Sequence, residues 1–494
     1  MTLRVPLEHY PGFNRFVIDW LHGDARFLPR TEHKKRARMI DATLVEALAD
    51  SNHRWGLSVK DDLQRWARGQ SITIVGGQQV GFGGGPLYTL AKIASLLKMK
   101  RDLERSGTPA TVLFWLANED HDFDEVAQLC APVRNRQLDL HCMRASRSGQ
   151  SKLAVGRVPI PEALITEFLA FYEIERPSWL REGIDFGDSF AELVASIFGS
   201  EIILVDALLP ELRRAGKPLF DSIFAQWQDI ERAIAYRSRE LIDAGYSPQV
   251  LPRDAESYSL LFELDERFER HLVDGPRQIV PERISTTALT RPLLQDFVLQ
   301  PDIFIGGPAE VAYYAQIASL YKMLNVPMPR VALRGHTLVA PKRVVRFMER
   351  YEIRPEEVFT SPDDLLAARE PEGVTQIRRE AEAARKDLMK RIERIGELAL
   401  PAEHALARAI ARSIGHVEYH FNKLAERAIR GLVRKDKERY AATRELLATL
   451  YPDRHVQDRV VGWYAYWLEY GQHLVDSLIE ETEPDTASFK IIGL

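Results

Sequence analysis

The chain has 494 residues with a formal net charge of −5, 45% hydrophobic and 28% charged residues, and two cysteines. That length allows about two to four domains of ordinary size, and the composition supports a buried core in place of disorder. A pI near 6.3 argues against a broadly basic nucleic-acid surface, two isolated cysteines make neither a disulfide framework nor a zinc site, and no apolar run is long enough to cross a bilayer.

Cys130 and Cys142 are expected as reduced thiols in a cytoplasmic protein, and Met1 to Tyr10 lacks the apolar core of a secretion signal. Residues 1–70 read as helical and polar. The basic run His33-Lys-Lys-Arg-Ala-Arg38 is followed by Asp41, Glu46 and Asp50, so it is expected as a solvated helix face. Ser71-Ile-Thr-Ile-Val75 is a β-branched strand run entering the glycine-rich segment 76–85. After Pro86, Leu87, Leu90, Ala91, Ala94 and Leu97 fall on one face of a helix reaching about Arg105.

Thr111–Ala117 is a buried strand, and Glu201–Asp206, Asp302–Gly306 and Val331–Arg334 read as further strands. Strands alternating with helices predict an α/β fold whose mostly parallel sheet is covered on both faces. There is an internal echo. Gly84-Gly-Pro86 leads to Ile93-Ala-Ser-Leu-Leu-Lys-Met99, and Gly306-Gly-Pro308 leads to Ile317-Ala-Ser-Leu-Tyr-Lys-Met323, predicting two similar strand–turn–helix units in one sheet. After Pro371, Leu388, Ile392 and Ile395, then Leu406, Ile410, Ile414, Val417, Phe421 and Leu424, follow spacings of three and four about Pro401. This predicts an antiparallel helical coiled-coil arm. The expected division is a core over 1–370, an arm over 371–450, and an aromatic C-terminal segment over 451–494 that packs back on the core or a partner subunit.

Three motifs carry chemistry. A strand–glycine loop–helix aims backbone N–H groups and a helix N-terminus at an anion, through positions such as Gly81 and Gly85. The loop is not a Walker A motif, because Pro86 replaces the lysine, and it lacks the third glycine of the dinucleotide pattern. Gln78, Gln79, Tyr88, Thr89 and Lys92 flank it. Lys92 reads either as a counter-ion for a bound anion or as a solvated surface residue, and the loop as a ligand cradle or a structural turn. Second, five acids and His121 crowd Glu119-Asp-His-Asp-Phe-Asp-Glu125 after a strand, where α/β sheets bind ligands. Massed carboxylates raise one another's pKa unless a cation or hydrogen bonds offset them. His121 between Asp120 and Asp122 suits an oriented base. Asp120, Asp122 and Asp124 are not an EF-hand, since Glu125 stands where glycine is needed, but Asp120 or Asp122 suits magnesium beside a phosphate. The bland reading is a helix start enriched in acids. Third, Gly306-Gly307-Pro308 offers a second anion turn, with Glu310, Tyr313, Tyr314 and Gln316 on the helix and Arg334 as a carboxylate or phosphate fork.

In order and number these motifs resemble one family. Gly77-Gln-Gln-x-Gly81, Gly85-Pro-Leu-Tyr-Thr89 with Lys92, Phe114-Trp115, Glu119-Asp-His-Asp-Phe123, Gly245-Tyr-Ser-Pro-Gln-Val250, Arg291-Pro292 with Gln295-Asp296, Gly306-Gly-Pro-x-Glu310 with Ala312-Tyr-x-x-Gln316, and Gln457-Asp-Arg459 are similar to the bacillithiol biosynthesis cysteine-adding enzymes over nearly the whole chain. Ser247, where that pattern has histidine, and Leu333-Arg-Gly-His336 depart from it. The resemblance implies a Rossmann-like core related to class I nucleotidyltransferases, with inserted connecting segments, a coiled-coil arm and a homodimer. It implies ligation of cysteine to the amine of glucosaminyl-malate, the last step of bacillithiol synthesis, with no nucleic-acid or membrane partner. Asp120, His121 and Asp122 would deprotonate or position the amine, Gln79, Thr89 and Lys92 would bind an anionic part, and Arg334 the malate carboxylates. Gln78, Gly81, Gly85, Tyr88, Glu119, Gly306, Gly307, Glu310, Tyr314 and Gln316 complete the expected binding set. Amide formation from a free carboxylate needs activation, which a nucleotide such as ATP would supply, with magnesium. Another nucleotide-dependent ligase or nucleotidyltransferase, or a non-catalytic coiled-coil scaffold, are the alternative readings.

Overall fold

The computed structural model describes residues 2–32, 38, 40–133, 139–146, 152–254, 257–399 and 406–494. These form two compact units, the first within residues 2–133, 140–341 and 455–494 and the second from residue 139 and 342–454.

The first unit opens with β1 (Thr2–Pro6), then β2 (Ile72–Gln78), helix α1 (Leu87–Arg105), β3 (Ala110–Leu116) and a single turn α2 (Phe123–Val126). Next come β4 (Gln128–Pro132), β5 (Leu140–Arg144) and β6 (Ile203–Asp206). A meander of β7 (Leu261–Leu264), β8 (Arg270–Leu272) and β9 (Ile284–Thr286) precedes β10 (Ile303–Gly306), helix α3 (Pro308–Met323), β11 (Arg330–Leu333) and β12 (His336–Ala340). The second unit holds the long helices α4 (Pro371–Ala399) and α5 (Leu406–Val433), and the chain ends on β13 (Ser488–Gly493) in the first.

Five strands form a parallel sheet in the order β6-β3-β2-β10-β11. Every residue of β3, β6 and β10 is buried, which explains why their sequences are almost wholly apolar, with Thr111 and Asp206 the exceptions: a strand covered on both faces has no solvent side for polar residues. In chain order the strands stand 3-2-1-4-5, the Rossmann arrangement, and the sheet reverses direction of growth between β2 and β10. The two echoing units are therefore neighbours flanking the crevice where such sheets bind ligands.

β2 runs three residues beyond the expected apolar run, through Gly76, Gly77 and Gln78. A Cβ at Gly77 would stand 2.6 Å from the Trp115 carbonyl oxygen, so the glycine permits close strand pairing. Gly83, Gly84 and Gly85 follow with positive φ. The indole of Trp463 lies on Gly84, where a Cβ would meet the ring at 2.4 Å, and its Nε1 donates to the Gly84 carbonyl at 2.8 Å.

Three features depart from the expectations. Cys130 and Cys142 are not separate reduced thiols: they are direct cross-strand partners in the antiparallel pair β4–β5 and are joined by a disulfide. β1, unexpected in a helical N-terminal region, pairs antiparallel with β13, which pairs parallel with β12. Of the basic run, residues 33–37 lie outside the described residues, but the Arg38 side chain is buried, paired with Asp302, and donates to Ser71 O at 2.9 Å.

In the second unit, α4 and α5 pack side by side. Arg385 bonds Glu418 at 2.7 Å, and Gly373 abuts Leu432, so residue numbers rise along one helix as they fall along the other. The pair is an antiparallel coiled coil, as the spacing predicts; Pro401 lies outside the described residues. Among the described residues no helix is long and apolar enough to cross a membrane.

Candidate functional site

A cleft of about 910 Å³ opens at the carboxyl ends of the parallel strands. Gly77 and Gln78 of β2, Trp115 of β3 and Gly307 after β10 form its floor. Phe262, Arg270 and Thr286 of the meander, Tyr88 and Lys92 of α1, Glu310 and Tyr313 of α3, the β4 segment Gln128–Cys130, and Arg459, Val460 and Gly462 form its walls.

Lys92 does not wait for an anion. Its ammonium is buried, donates to Gly77 O at 2.6 Å and Gln78 Oε1 at 2.9 Å, and is ion-paired with Glu310. Burial pulls the Lys92 pKa down, partly offset by Glu310, while for Glu310 the charges of Lys92 and Arg291 outweigh burial and hold its carboxyl below the usual range. Glu310 Oε2 also accepts from Gly307 N at 2.7 Å, capping its own helix. The second glycine turn is thus closed by an internal carboxylate. The first is closed too: Gly81, Gly84 and Gly85 N–H groups donate to Gln79, Gly81 and Phe82 carbonyls.

The acid cluster separates into distinct environments. Glu119 is buried with both oxygens engaged, by Arg213 (3.1 Å), Ser285 (2.8 Å) and the Thr286 hydroxyl (2.7 Å), so it ties β3 to β9. Asp120 accepts from Arg270 at 2.9 Å, Gln79 at 3.1 Å and the His121 backbone at 2.7 Å. Burial opposes its charge, but the bonds from His121, Arg270 and Gln79 prevail and hold it well below the ordinary carboxylate range. Arg270 also stands 2.9 Å from His121 Nδ1. The same Nδ1 lies 3.5 Å from Asp120 Oδ1, so Arg270 and Asp120 both face that ring nitrogen. Asp122 is exposed and outside the cleft lining. Glu125 lines the cleft, and desolvation together with the charges of Asp122 and Asp120 raises its pKa against a hydrogen bond from Gln79.

The C-terminal segment supplies the remaining cations' setting. Asp458 is buried, pairs with Arg334 at 3.2 Å and is bonded by the Tyr10 hydroxyl. Arg334 lies over the Tyr88 ring at 5.6 Å, and burial pushes the Tyr88 phenol up to about 12. Arg459 donates to Tyr10 Oη at 3.3 Å. Among the described residues it is the cleft cation without a carboxylate partner: Lys92 and Arg291 face Glu310, Arg270 faces Asp120, and Arg334 faces Asp458. The Trp115 indole N–H also has no partner among the described residues.

Of the expected residues, Gln78, Gln79, Tyr88, Lys92, Glu119, Asp120, His121, Gly307, Glu310 and Arg334 line the cleft. Gly81, Gly85, Thr89, Gly306, Tyr314 and Gln316 are buried or part-buried behind it, and Asp122 lies outside. Gln316 fastens the Val250 backbone through both its amide atoms, and Tyr314 donates to Asp296 at 2.9 Å. Asp120 lines the cleft and Asp122 does not; among the described residues the group of three side chains close enough together to share a metal ion is Asp265, Glu269 and His271, outside the cleft lining. Sequence reasoning missed Glu125, Arg270, Arg291, Thr286 and Arg459 as cleft residues. Glu125, Arg291 and Arg459 lay inside motifs already quoted but were given no role; Arg270, within Glu269-Arg-His271, carried no local signal.

A Rossmann-like sheet with a deep cleft of paired charges at its switch point defines a small-molecule enzyme of the α/β class. Residues 18–335 match the Bacillithiol biosynthesis BshC N-terminal Rossmann-like domain, and residues 337–494 match the BshC C-terminal coiled-coil domain. Proteins named "Putative cysteine ligase BshC" are similar to the chain along most of its length. The one from Koribacter versatilis is 29% identical, covering 96% of this chain and 97% of the relative. That from Solibacter usitatus is 30% identical over 87% and 86%, and that from Bacillus cytotoxicus 24% over 97% and 95%. The chain belongs to the BshC family of bacillithiol biosynthesis.

Proposed function

We propose that this chain joins cysteine to the amine of glucosaminyl-malate, the last step of bacillithiol synthesis. The observation that carries the reading is the cleft itself: an unmatched Arg459 on one wall and the Asp120–His121–Glu125 group on another, at a Rossmann switch point in a chain of this family. Arg459 and Arg334, both lining the cleft, meet the malate carboxylates or other substrate anion. Asp120, kept ionised, orients the incoming amine. His121 Nε2–H donates to the cysteine carbonyl oxygen as charge develops there. Glu125, whose raised pKa makes its ionised carboxylate a stronger base, takes the proton that the amine loses as the C–N bond forms.

Activation of the cysteine carboxylate requires a leaving group, which a bound nucleotide would supply. A homodimer formed through the arm belongs to the same reading, because Ile395, Leu398 and Leu424 expose apolar side chains there (62, 70 and 59%). Mass spectrometry of thiols in cells lacking this chain tests the pathway: bacillithiol should disappear and glucosaminyl-malate accumulate. Persistence of bacillithiol sinks the proposal. With the purified protein, His121→Ala should abolish product while the fold is kept, and unchanged activity would remove His121 from the mechanism.

A further inference from the structure

Cys130 and Cys142 face each other across β4 and β5, yet their sulfurs occupy different surroundings. Cys130 is buried, borders the cleft, and accepts a hydrogen bond from the Gln128 amide at 3.0 Å. Cys142 is exposed. The hairpin they fasten is a wall of the cleft. Gln128 and Leu129 line it, Leu129 fills the space over Gly83 and Gly462, and the Cys130 carbonyl accepts from Gly462 N at 2.8 Å. On the β5 side Arg144 bonds Asp124, another cleft residue, at 2.7 Å.

We propose that this disulfide is a thiol-responsive clamp on the cleft wall, opened by low-molecular-weight thiols through exchange at Cys142. A small-molecule thiolate attacks the sulfur of the exposed residue Cys142; the new S–S bond joins it to Cys142, and the Cys130 sulfur leaves as a thiolate beside the Gln128 amide donor. A second thiolate attacks the outer sulfur of the mixed disulfide, releasing a small-molecule disulfide and the Cys142 thiolate. Two small thiols are oxidised and one protein disulfide is reduced, and each protein thiolate takes its proton from water. Attack in the opposite sense is slower, because Cys130 is only 3% exposed and its backbone is bridged to Val461. Opening removes the covalent tie between β4 and β5 but leaves their backbone pairing, so the wall loosens without unfolding.

This inference stands on the hairpin alone and survives failure of the ligase reading. If that reading holds, substrate and product are themselves thiols able to drive the exchange, so the enzyme senses the pool it serves.

The test uses the full chain, oxidised and then treated with excess cysteine, quenched by alkylation and mapped by peptide mass spectrometry, with backbone hydrogen exchange in parallel. Both cysteines should become alkylated while the far-ultraviolet circular dichroism is kept. With cystine, Cys130→Ser should form a mixed disulfide at Cys142 at least about tenfold faster than Cys142→Ser forms one at Cys130. Hydrogen exchange in residues 128–132 and 140–144 should rise several-fold on reduction, and Cys130→Ser/Cys142→Ser should show the raised rate in either redox condition. A bond that stays closed in the folded protein, equal reactivity of the two single variants, or exchange that ignores reduction would each overturn the proposal.

Discussion

Glu310→Gln separates a structural Lys92 from a ligand-binding one. The Lys92 side chain is 2% exposed and that of Glu310 16%, so the ion pair sits in a poorly solvated place. The substitution keeps shape and an acceptor for Gly307 N but leaves a buried ammonium with two neutral partners, Gly77 O and Gln78 Oε1. Breaking a buried pair on one side costs roughly 3–5 kcal/mol, and the partial access to the cleft places this one near the lower end, about 3 kcal/mol. Urea titration at neutral pH reads that loss. The pH dependence has a definite sign. Burial already lowers the Lys92 pKa, and losing Glu310 lowers it further, so between that value and the unfolded value of about 10.4 the unfolded chain binds more protons than the folded one. Stability of the variant therefore rises with pH through that window, and its deficit shrinks as the lone ammonium loses its proton. Lys92→Met/Glu310→Gln removes both charges and should recover most of the loss, giving a large coupling energy. A single variant within about 1 kcal/mol of the parent, a deficit flat in pH, or a double variant no better than the single would refute the structural role.

Further outcomes follow from the same geometry. Glu125→Gln should lower kcat of the ligation by about 10²–10⁴-fold with little change in KM, and an unaltered rate would remove Glu125 as the proton acceptor. Arg459→Ala should raise KM for the anionic substrate about tenfold or more while leaving the urea midpoint nearly unchanged; an equal loss of stability would make Arg459 structural. Gly84→Ala combines φ of +86° with a Cβ 2.4 Å from Trp463 and should destabilise by about 3 kcal/mol, read by urea unfolding. Asp296 is pushed up to about 6 by burial against bonds from Tyr321, Gln295 and Tyr314. Its folded form therefore holds a proton that the unfolded chain has lost, and stability should fall as pH rises from about 4 to about 6. Asp296→Asn should flatten that slope, and an unchanged slope assigns it to other groups.

What the sequence discloses depends on how local the cause is. The five parallel strands were legible because burial on both faces writes itself as an apolar run, and the coiled coil because its seam repeats every three to four residues. β1 was not: its partner Ser488–Gly493 lies at the other end of the chain, and Arg4 and Pro6 break any apolar pattern. The cysteine pair failed for the same reason, since only the register of a short hairpin sets Cys130 opposite Cys142. At the site, clusters were legible and partnerships were not. The acids after β3 announce a cleft, but whether each is base, anchor or counter-ion depends on Arg213, Arg270, Ser285 and Thr286, which arrive from segments 94 to 167 positions away. Glycines are the sharpest case. A glycine that admits a phosphate and one that admits a tryptophan look alike in sequence, and here Gly84 admits Trp463 from 379 residues downstream. That contact decides more than packing. The N–H groups of Gly81, Gly84 and Gly85 are spent on carbonyls of the loop itself, and the segment that covers it carries Arg459 to the cleft and Asp458 to Arg334. Under the proposed function, anion binding would then rest on the C-terminal segment and not on the glycine turn.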